Sequence, residues 1–320
     1  MSSAANVISA RAERDRRTRA NLDEALGPVL LEYLHDPNVV EVMLNPTGEL
    51  WLDRLGEPMT PAGLVDSQSA ESIMRMIASY HSIELGPSQP ILECELPFYE
   101  MRFEGMIPPV VDRPSFAIRK KASKVFPLDD YVENDRMSVA AREVIQEAVR
   151  DRKNILVAGA TSSGKTTFTN AVLLEICTLC PDDRIVSIED TRELQISAAN
   201  YVDLRADENA DMLKCLKATL RLRPDRIVVG EVRDKAALAL LKAWNTGHPG
   251  GVATIHADSG IDALMRLEQL VAEGTSAPAH LMVAQAIGLV VFMGKGRRVV
   301  EILQVKSWRD GSYETQAVEI

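Results

Sequence analysis

Apolar side chains in residues 21–34, NLDEALGPVLLEYL, fall at Leu22, Ala25, Leu26, Val29, Leu30 and Leu34. That three-and-four spacing turns one helix face toward a core. VVEVMLNPTGELWLDR (39–54) then reads as strand, Pro-Thr-Gly turn and strand, and SAESIMRMIASYHS (69–82) returns to helical spacing. EMRFEGMIPPVV (100–111) and SFAIRKK (115–121) add strand-like runs, so residues 1–121 predict a small α+β domain, one sheet with helices on one face. Between Ala122 and Met137 the chain turns polar and acidic without sustained periodicity, and a linker is expected over 122–137. Beyond it, SVAAREVIQEAVRDRK sets Ala140/Ala141, Val144/Ile145 and Ala148/Val149 at helical spacing, ahead of NILVAG (154–159). The latter is apolar throughout, as a central parallel strand is. Residues 138–320 are expected to form the second, α/β domain.

Composition narrows the functional classes. The chain has 320 residues, 46% apolar and 26% charged, in the range of a globular protein. Its longest apolar run, IGLVVFM (287–293), has the length of a buried strand and falls short of the ~20 residues of a bilayer span. No transmembrane segment and a cytoplasmic location are therefore expected. Near the N-terminus Arg11, Arg14, Arg16, Arg17 and Arg19 are interleaved with Glu13 and Asp15 around no apolar core segment, which predicts a solvated helix and no signal peptide. Net charge is −10, with 14 Lys+Arg against 22 Asp+Glu in residues 1–136 and 22 against 24 in the rest. With aromatics at 5% as well, no strong nucleic-acid binding is expected. Cys94, Cys177, Cys180 and Cys215 are too few for a disulfide framework, and the Cys177/Cys180 pair has no second pair at zinc spacing.

One segment carries definite chemistry. GATSSGKT (159–166) fits G-x-x-x-x-G-K-[ST], with the strand NILVA before it and the helical TFTNAVLLEIC after it. Gly159 and Gly164 allow the loop to wrap so that successive N–H groups point at an anion, aided by the helix N-terminus. The predicted phosphate cradle is Gly159, Ala160, Thr161, Ser162, Ser163, Gly164, Lys165, Thr166 and Thr167. Lys165 supplies a point charge to the β- and γ-phosphates of ATP, and the Thr166 hydroxyl is a hard ligand for Mg²⁺. Two apolar runs end in acids, DRIVSIED at Glu189 and Asp190 and DRIVVGE at Glu231, and GGVATI ends at His256. Strand ends beside a phosphate loop are where metal- and water-handling groups belong, so Glu189, Glu231 and His256 are catalytic candidates. Glu231 is a metal ligand directly or through water. His248 sits among Gly247, Pro249, Gly250 and Gly251, as in a tight turn, with a structural or gating role.

The ordered set GATSSGKTT, SIEDTREL, LRLRPDRIVVGEVRDKAALALLKAWNTGHPGG and ATIHA resembles the traffic ATPases of type II and type IV secretion, most of all the conjugative-transfer ATPases. The resemblance covers essentially all of residues 137–320. It implies a RecA-like P-loop NTPase domain preceded by the smaller α+β domain, and a hexamer lying peripherally on the inner membrane against secretion-channel proteins. Glu189, Glu231 and His256 fall on that family's Asp box, Walker B segment and His box, with Gly230-Glu231 where an Asp-Glu pair is usual. PILECELPFYEMRFEGMIPPVV and FAIRKK resemble its N-terminal domain more loosely, and there Arg102 and Arg119 match arginines that reach the phosphates. Arg233 is a further candidate for interfacial charge work. The four-cysteine zinc module of relatives that build pili or export folded toxins is missing, while pilus-retraction motors remain close neighbours. The implied function is Mg-dependent ATP hydrolysis by a ring that powers conjugative transfer, type IV secretion or pilus assembly. The alternatives are a nucleic-acid-dependent RecA-like motor and a nucleotide-gated scaffold with little turnover.

Overall fold

The computed structural model describes residues 2–55, 57–121, 125–207 and 209–320, with side chains from residue 13 onward. Residues 1–123 and 124–320 form two compact units.

In the first unit the order is α1 (Ser2–His35), β1 (Val39–Leu44), β2 (Glu49–Arg54), β3 (Thr60–Leu64), α2 (Ser67–His81), β4 (Ile91–Leu96), β5 (Met101–Met106) and β6 (Ser115–Arg119). The strands make an antiparallel sheet in the order β3-β2-β1-β6-β5-β4. Helix α1 is broken at Gly27, which takes φ 70° and ψ 167° ahead of Pro28, a pair that cannot continue a regular helix. Leu22, Leu26, Leu30 and Leu34 run down its buried side at a spacing of four. Helix α2 starts where the Asp66 carboxylate accepts from the Gln68 and Ser69 N–H groups, satisfying donors that a helix start leaves open. Its buried face is Ala70, Ile73, Met74, Ile77 and Ala78, and it shares one core with α1 and the apolar side of the sheet. The helices segregate to one sheet face, as the patterning predicts.

In the second unit the order is α3 (Leu128–Glu133), α4 (Val139–Arg150), β7 (Asn154–Gly159), α5 (Lys165–Leu179), β8 (Ile185–Glu189), β9 (Tyr201–Arg205), α6 (Met212–Thr219), β10 (Arg226–Val229), α7 (Ala236–Asn245), β11 (Val252–Ile255), α8 (Gly260–Ala272), α9 (His280–Ala286), β12 (Ile287–Met293), β13 (Val299–Arg309) and β14 (Ser312–Ala317). Its sheet runs β14-β13-β12-β7-β11-β10-β8-β9. It is parallel from β12 to β9 and antiparallel at β13 and β14. Strand alternation explains the two apolar layers: Leu156 and Ala158 of β7 face a core with α6 to α9, while Ile155 and Val157 face the other with α3, α4 and α5. All six residues of β7 are buried, so both faces are covered. Of the stretch expected as a linker, 122–124 lie outside the described residues. Leu128 and Tyr131 of α3 are buried with Phe168 of α5, so this segment packs as part of the second unit.

Candidate functional site

Parallel strands of one sheet deliver their C-terminal ends to a common edge, and β7, β8, β10 and β11 do so here. Strand β7 ends at Gly159 and α5 begins at Lys165, so residues 160–164 form a connection whose next residue already belongs to the helix. Gly159 has φ 154°, Ser162 60° and Gly164 94°. A Cβ on Gly159 would stand 2.6 Å from the Met293 carbonyl oxygen, and one on Gly164 2.8 Å from Arg297 Cγ. Space and backbone angle therefore both demand glycine at 164. No side chain caps the start of α5, which leaves its first N–H groups available to an anion.

Lys165 is the centre of the site. It is 8% exposed, and its ammonium donates to the Gly159 and Ala160 carbonyls at 2.9 Å each and to His256 Nδ1 at 3.2 Å. An ammonium has no lone pair, so Nδ1 must accept and the ring proton sits on Nε2. Nε2 faces Glu231 Oε1 at 3.3 Å. Burial holds the His256 pKa below the ordinary 6.5, and the Lys165 charge lowers it further against the opposing pull of Glu231. The ring is thus neutral at pH 7, joining the ammonium to the carboxylate. Glu231 Oε2 accepts from Arg233 Nη2 at 2.6 Å, and Arg233 Nη1 donates to Asp190 Oδ2 at 2.8 Å. The result is a continuous polar row from Lys165 through His256, Glu231 and Arg233 to Asp190.

Glu189 is 5% exposed, and its Oε1 accepts from the Glu193 and Leu194 N–H groups at 2.9 and 3.0 Å. It therefore ties down the turn after β8. A Cβ on Gly230 would meet Glu189 Cγ at 2.9 Å, so the glycine before Glu231 is the space that Glu189 occupies. Thr166 is half-buried, and its hydroxyl makes no hydrogen bond among the described residues. The Ser163 hydroxyl is buried without a hydrogen-bond partner among the described residues. Magnesium keeps most of its waters and takes one or two protein oxygens beside phosphate. Thr166, and Glu231 directly or through water, fit that modest requirement.

Arg102 and Arg119 belong to the first unit, as direct partners on β5 and β6, with Glu41 opposite Arg119 and Glu95 opposite Arg102. Arg102 Nη2 donates to Glu93 Oε1 at 3.3 Å. His248 lies in the turn before β11 with Nδ1 3.0 Å from the Pro224 carbonyl, at the other end of the strand from His256. The Asp190–Arg233 pairing escaped sequence reasoning. Its signal was there, since each residue follows its strand-end acid by one or two positions.

The His256 geometry gives a prediction. A folded pKa below the unfolded 6.5 means that the unfolded chain binds the extra proton first, so this group costs stability as pH falls below 6.5 toward its folded value. In NMR titration the His256 ring should titrate below 6.5, and Lys165→Ala should move it upward. A wild-type midpoint at or above 6.5 would contradict the row.

A family profile described as "Type II/IV secretion system protein" matches residues 86–304. The chain is 50% identical over 302 residues to a probable conjugal transfer protein TrbB of Sinorhizobium fredii, covering 93% of each. It is 30% identical over 300 residues to the type IV secretion system protein VirB11 of Bartonella henselae, covering 78% of this chain and 83% of the relative. Among solved structures, the pilus retraction motor PilT with bound ADP aligns with TM-score 0.60 at 16% identity, over 91% of this chain and 82% of that one. The Legionella pneumophila ATPase DotB also gives 0.60 at 16%, over 90% and 78%. At such identities the two structures speak for the fold alone.

Proposed function

This chain belongs to the type II/IV secretion system protein family, and we propose that it is an ATPase powering conjugative transfer or a related secretion step. The observation that carries the reading is the meeting of Lys165, at the start of α5, with His256 and Glu231 just past the ends of β11 and β10. We assign residues 159–167 to the triphosphate, as the P-loop of a RecA-like domain. The loop amides and the Lys165 charge hold the β- and γ-phosphates and stabilise charge developing on the transferring group. His256 faces the terminal phosphate, and through its neutral ring Glu231 is placed to orient the attacking water. Glu189 shapes the same edge, its carboxylate locked by backbone N–H groups. Thr166, and Glu231 directly or through water, would hold Mg²⁺, which would supply charge neutralisation to the phosphates.

Arg102 and Arg119 are direct cross-strand partners on β5 and β6. For these two, the phosphate role stands only as what the family resemblance implies. The working form is proposed to be a homo-oligomer, a hexameric ring, held against secretion-channel proteins at the inner membrane. No helix of the described residues is long and apolar enough to cross a membrane.

The test is steady-state phosphate release. Glu231→Gln is expected to lower kcat by about 10²-fold, the usual scale for a lost general base, with ATP binding kept. Glu189→Gln retains the Oε1 acceptor and should fall less. A wild-type rate already negligible, unchanged in Glu231→Gln, would favour a nucleotide-gated scaffold.

A further inference from the structure

The groups assigned to the terminal phosphate occupy one side of the loop strand. His256, Glu231 and Glu189 end or follow β11, β10 and β8, all on the same side of β7 in the sheet. On the other side stands β12, and its turn into β13 carries Arg297. The Arg297 stem lies across the loop: a Cβ on Gly164 would meet its Cγ at 2.8 Å and its Cβ at 3.2 Å. Arg136 is fastened to the far end of the same turn, its carbonyl accepting from Val299 N–H at 2.9 Å.

The Arg136 N–H donates to the Tyr131 carbonyl at 2.8 Å, and both arginine charges act on the Tyr131 hydroxyl. Burial raises the Tyr131 hydroxyl to about 12, while Arg136 and Arg297 pull it back down and Asp130 pushes it up. The Tyr131 ring meets Phe168, in the first turn of α5, edge to face at 5.2 Å. Both arginines are half-buried as residues, and among the described residues neither guanidinium group has a hydrogen bond or an ion-pair partner. Arg102, Arg226 and Arg233, by contrast, each have a carboxylate. The unpartnered Ser163 hydroxyl, 5% exposed as a residue, also lies toward β12, since a Cβ on Gly159 would touch both it and the Met293 carbonyl. Arg297 holds φ 59°, a conformation that favours glycine over any side chain. Its backbone position gives no reason for an arginine there.

We propose that Arg297 and Arg136 form the nucleoside wall of the site, taking the base of the bound nucleotide against their planar guanidinium groups. The inference rests on the nucleotide reading above. With the terminal phosphate directed at the β11 and β10 acids, a nucleotide lying along the loop must leave it on the β12 side, and what emerges there is the nucleoside. A guanidinium is planar and weakly hydrated, and it stacks on aromatic rings. Neither arginine has to give up a carboxylate to do so.

Binding of ATP, ADP and inorganic tripolyphosphate to the full-length protein, by titration calorimetry, separates base from phosphate. Arg297→Gly suits the backbone and removes only the side chain; it should weaken ATP and ADP alike, about tenfold on the scale of a desolvated cation–ring interaction. Tripolyphosphate affinity should stay unchanged. Arg136→Ala should act in the same direction, with unfolding midpoints confirming that both variants fold. Equal losses for tripolyphosphate would put the arginines on the phosphates and overturn the proposal, as would no loss for any of the three. Wild-type protein that binds tripolyphosphate but not ADP would overturn the nucleoside wall while sparing the phosphate loop. Failure to bind all three would remove the nucleotide reading itself.

Discussion

Lys165→Ala should lower ATP turnover roughly 10³-fold, at the upper end of what one preorganised charge contributes to phosphoryl transfer. The ammonium is held at 2.9 Å by two loop carbonyls and stands 3.2 Å from His256. The loop is therefore shaped around a positive charge. Alanine removes that charge and leaves the Gly159 and Ala160 carbonyls facing the incoming phosphates, two negative dipoles where a cation stood. Arginine should not rescue, because its fork replaces a compact point charge with a wider group beside a neutral imidazole. Tripolyphosphate binding should weaken together with turnover, since both draw on the same contact. Turnover retained to within tenfold would remove Lys165 from the phosphates, and with it the role proposed for His256 beside it.

Much of this site was legible in the chain because its pieces are local. The loop motif, with a buried strand before it and a helix after it, is a run of contiguous residues, and the structure brings Lys165, Glu231 and His256 together as the strand-end reading expects. The covered α/β sheet was legible in NILVAG for the same reason: a strand buried on both faces has no polar alternation to show. Helix α3 was not, for six residues are too few to display a helical period, and only Leu128 and Tyr131 are buried. The turn bearing Arg297 was also hidden, because its meaning comes from packing on Gly164, 133 positions earlier in the chain. Asp183 and Arg226 were hidden in another way. Nothing in their sequence positions signals a pairing, and the fold makes them partners in the interior.

That interior pair yields the largest expected loss of stability. Arg226 is fully buried; its Nε donates to Asp183 Oδ2 at 2.6 Å, its Nη1 to the Gly250 carbonyl at 3.0 Å, and its Nη2 to the Val149 carbonyl at 3.0 Å and Cys180 Sγ at 3.1 Å. Asp183 also takes Arg152 on its other oxygen. Gly250, at φ 85°, leaves room for the guanidinium, since a Cβ there would stand 2.6 Å from Nη1. Asn154 Oδ1 meanwhile accepts from the Gly250 and Gly251 N–H groups. One buried cation thus joins α4, the end of α5, β10 and the glycine turn before β11. Asp183→Ala leaves that buried charge without its carboxylate, and removing one partner of such a pair costs about 3–5 kcal/mol. That is a large share of the roughly 5–15 kcal/mol that holds a native protein together. Arg226→Met should cost less, because an apolar chain needs no partner and Arg152 still pairs with Asp183. Trp244 reports on this region directly, being 3% exposed and donating to the Ile227 carbonyl at 3.2 Å. Urea unfolding followed by its fluorescence, with Trp51 and Trp308 replaced by Phe, should rank Asp183→Ala well below Arg226→Met. Equal midpoints would mean that the guanidinium reaches water in the folded state, and that the glycine turn is held by Asn154 alone.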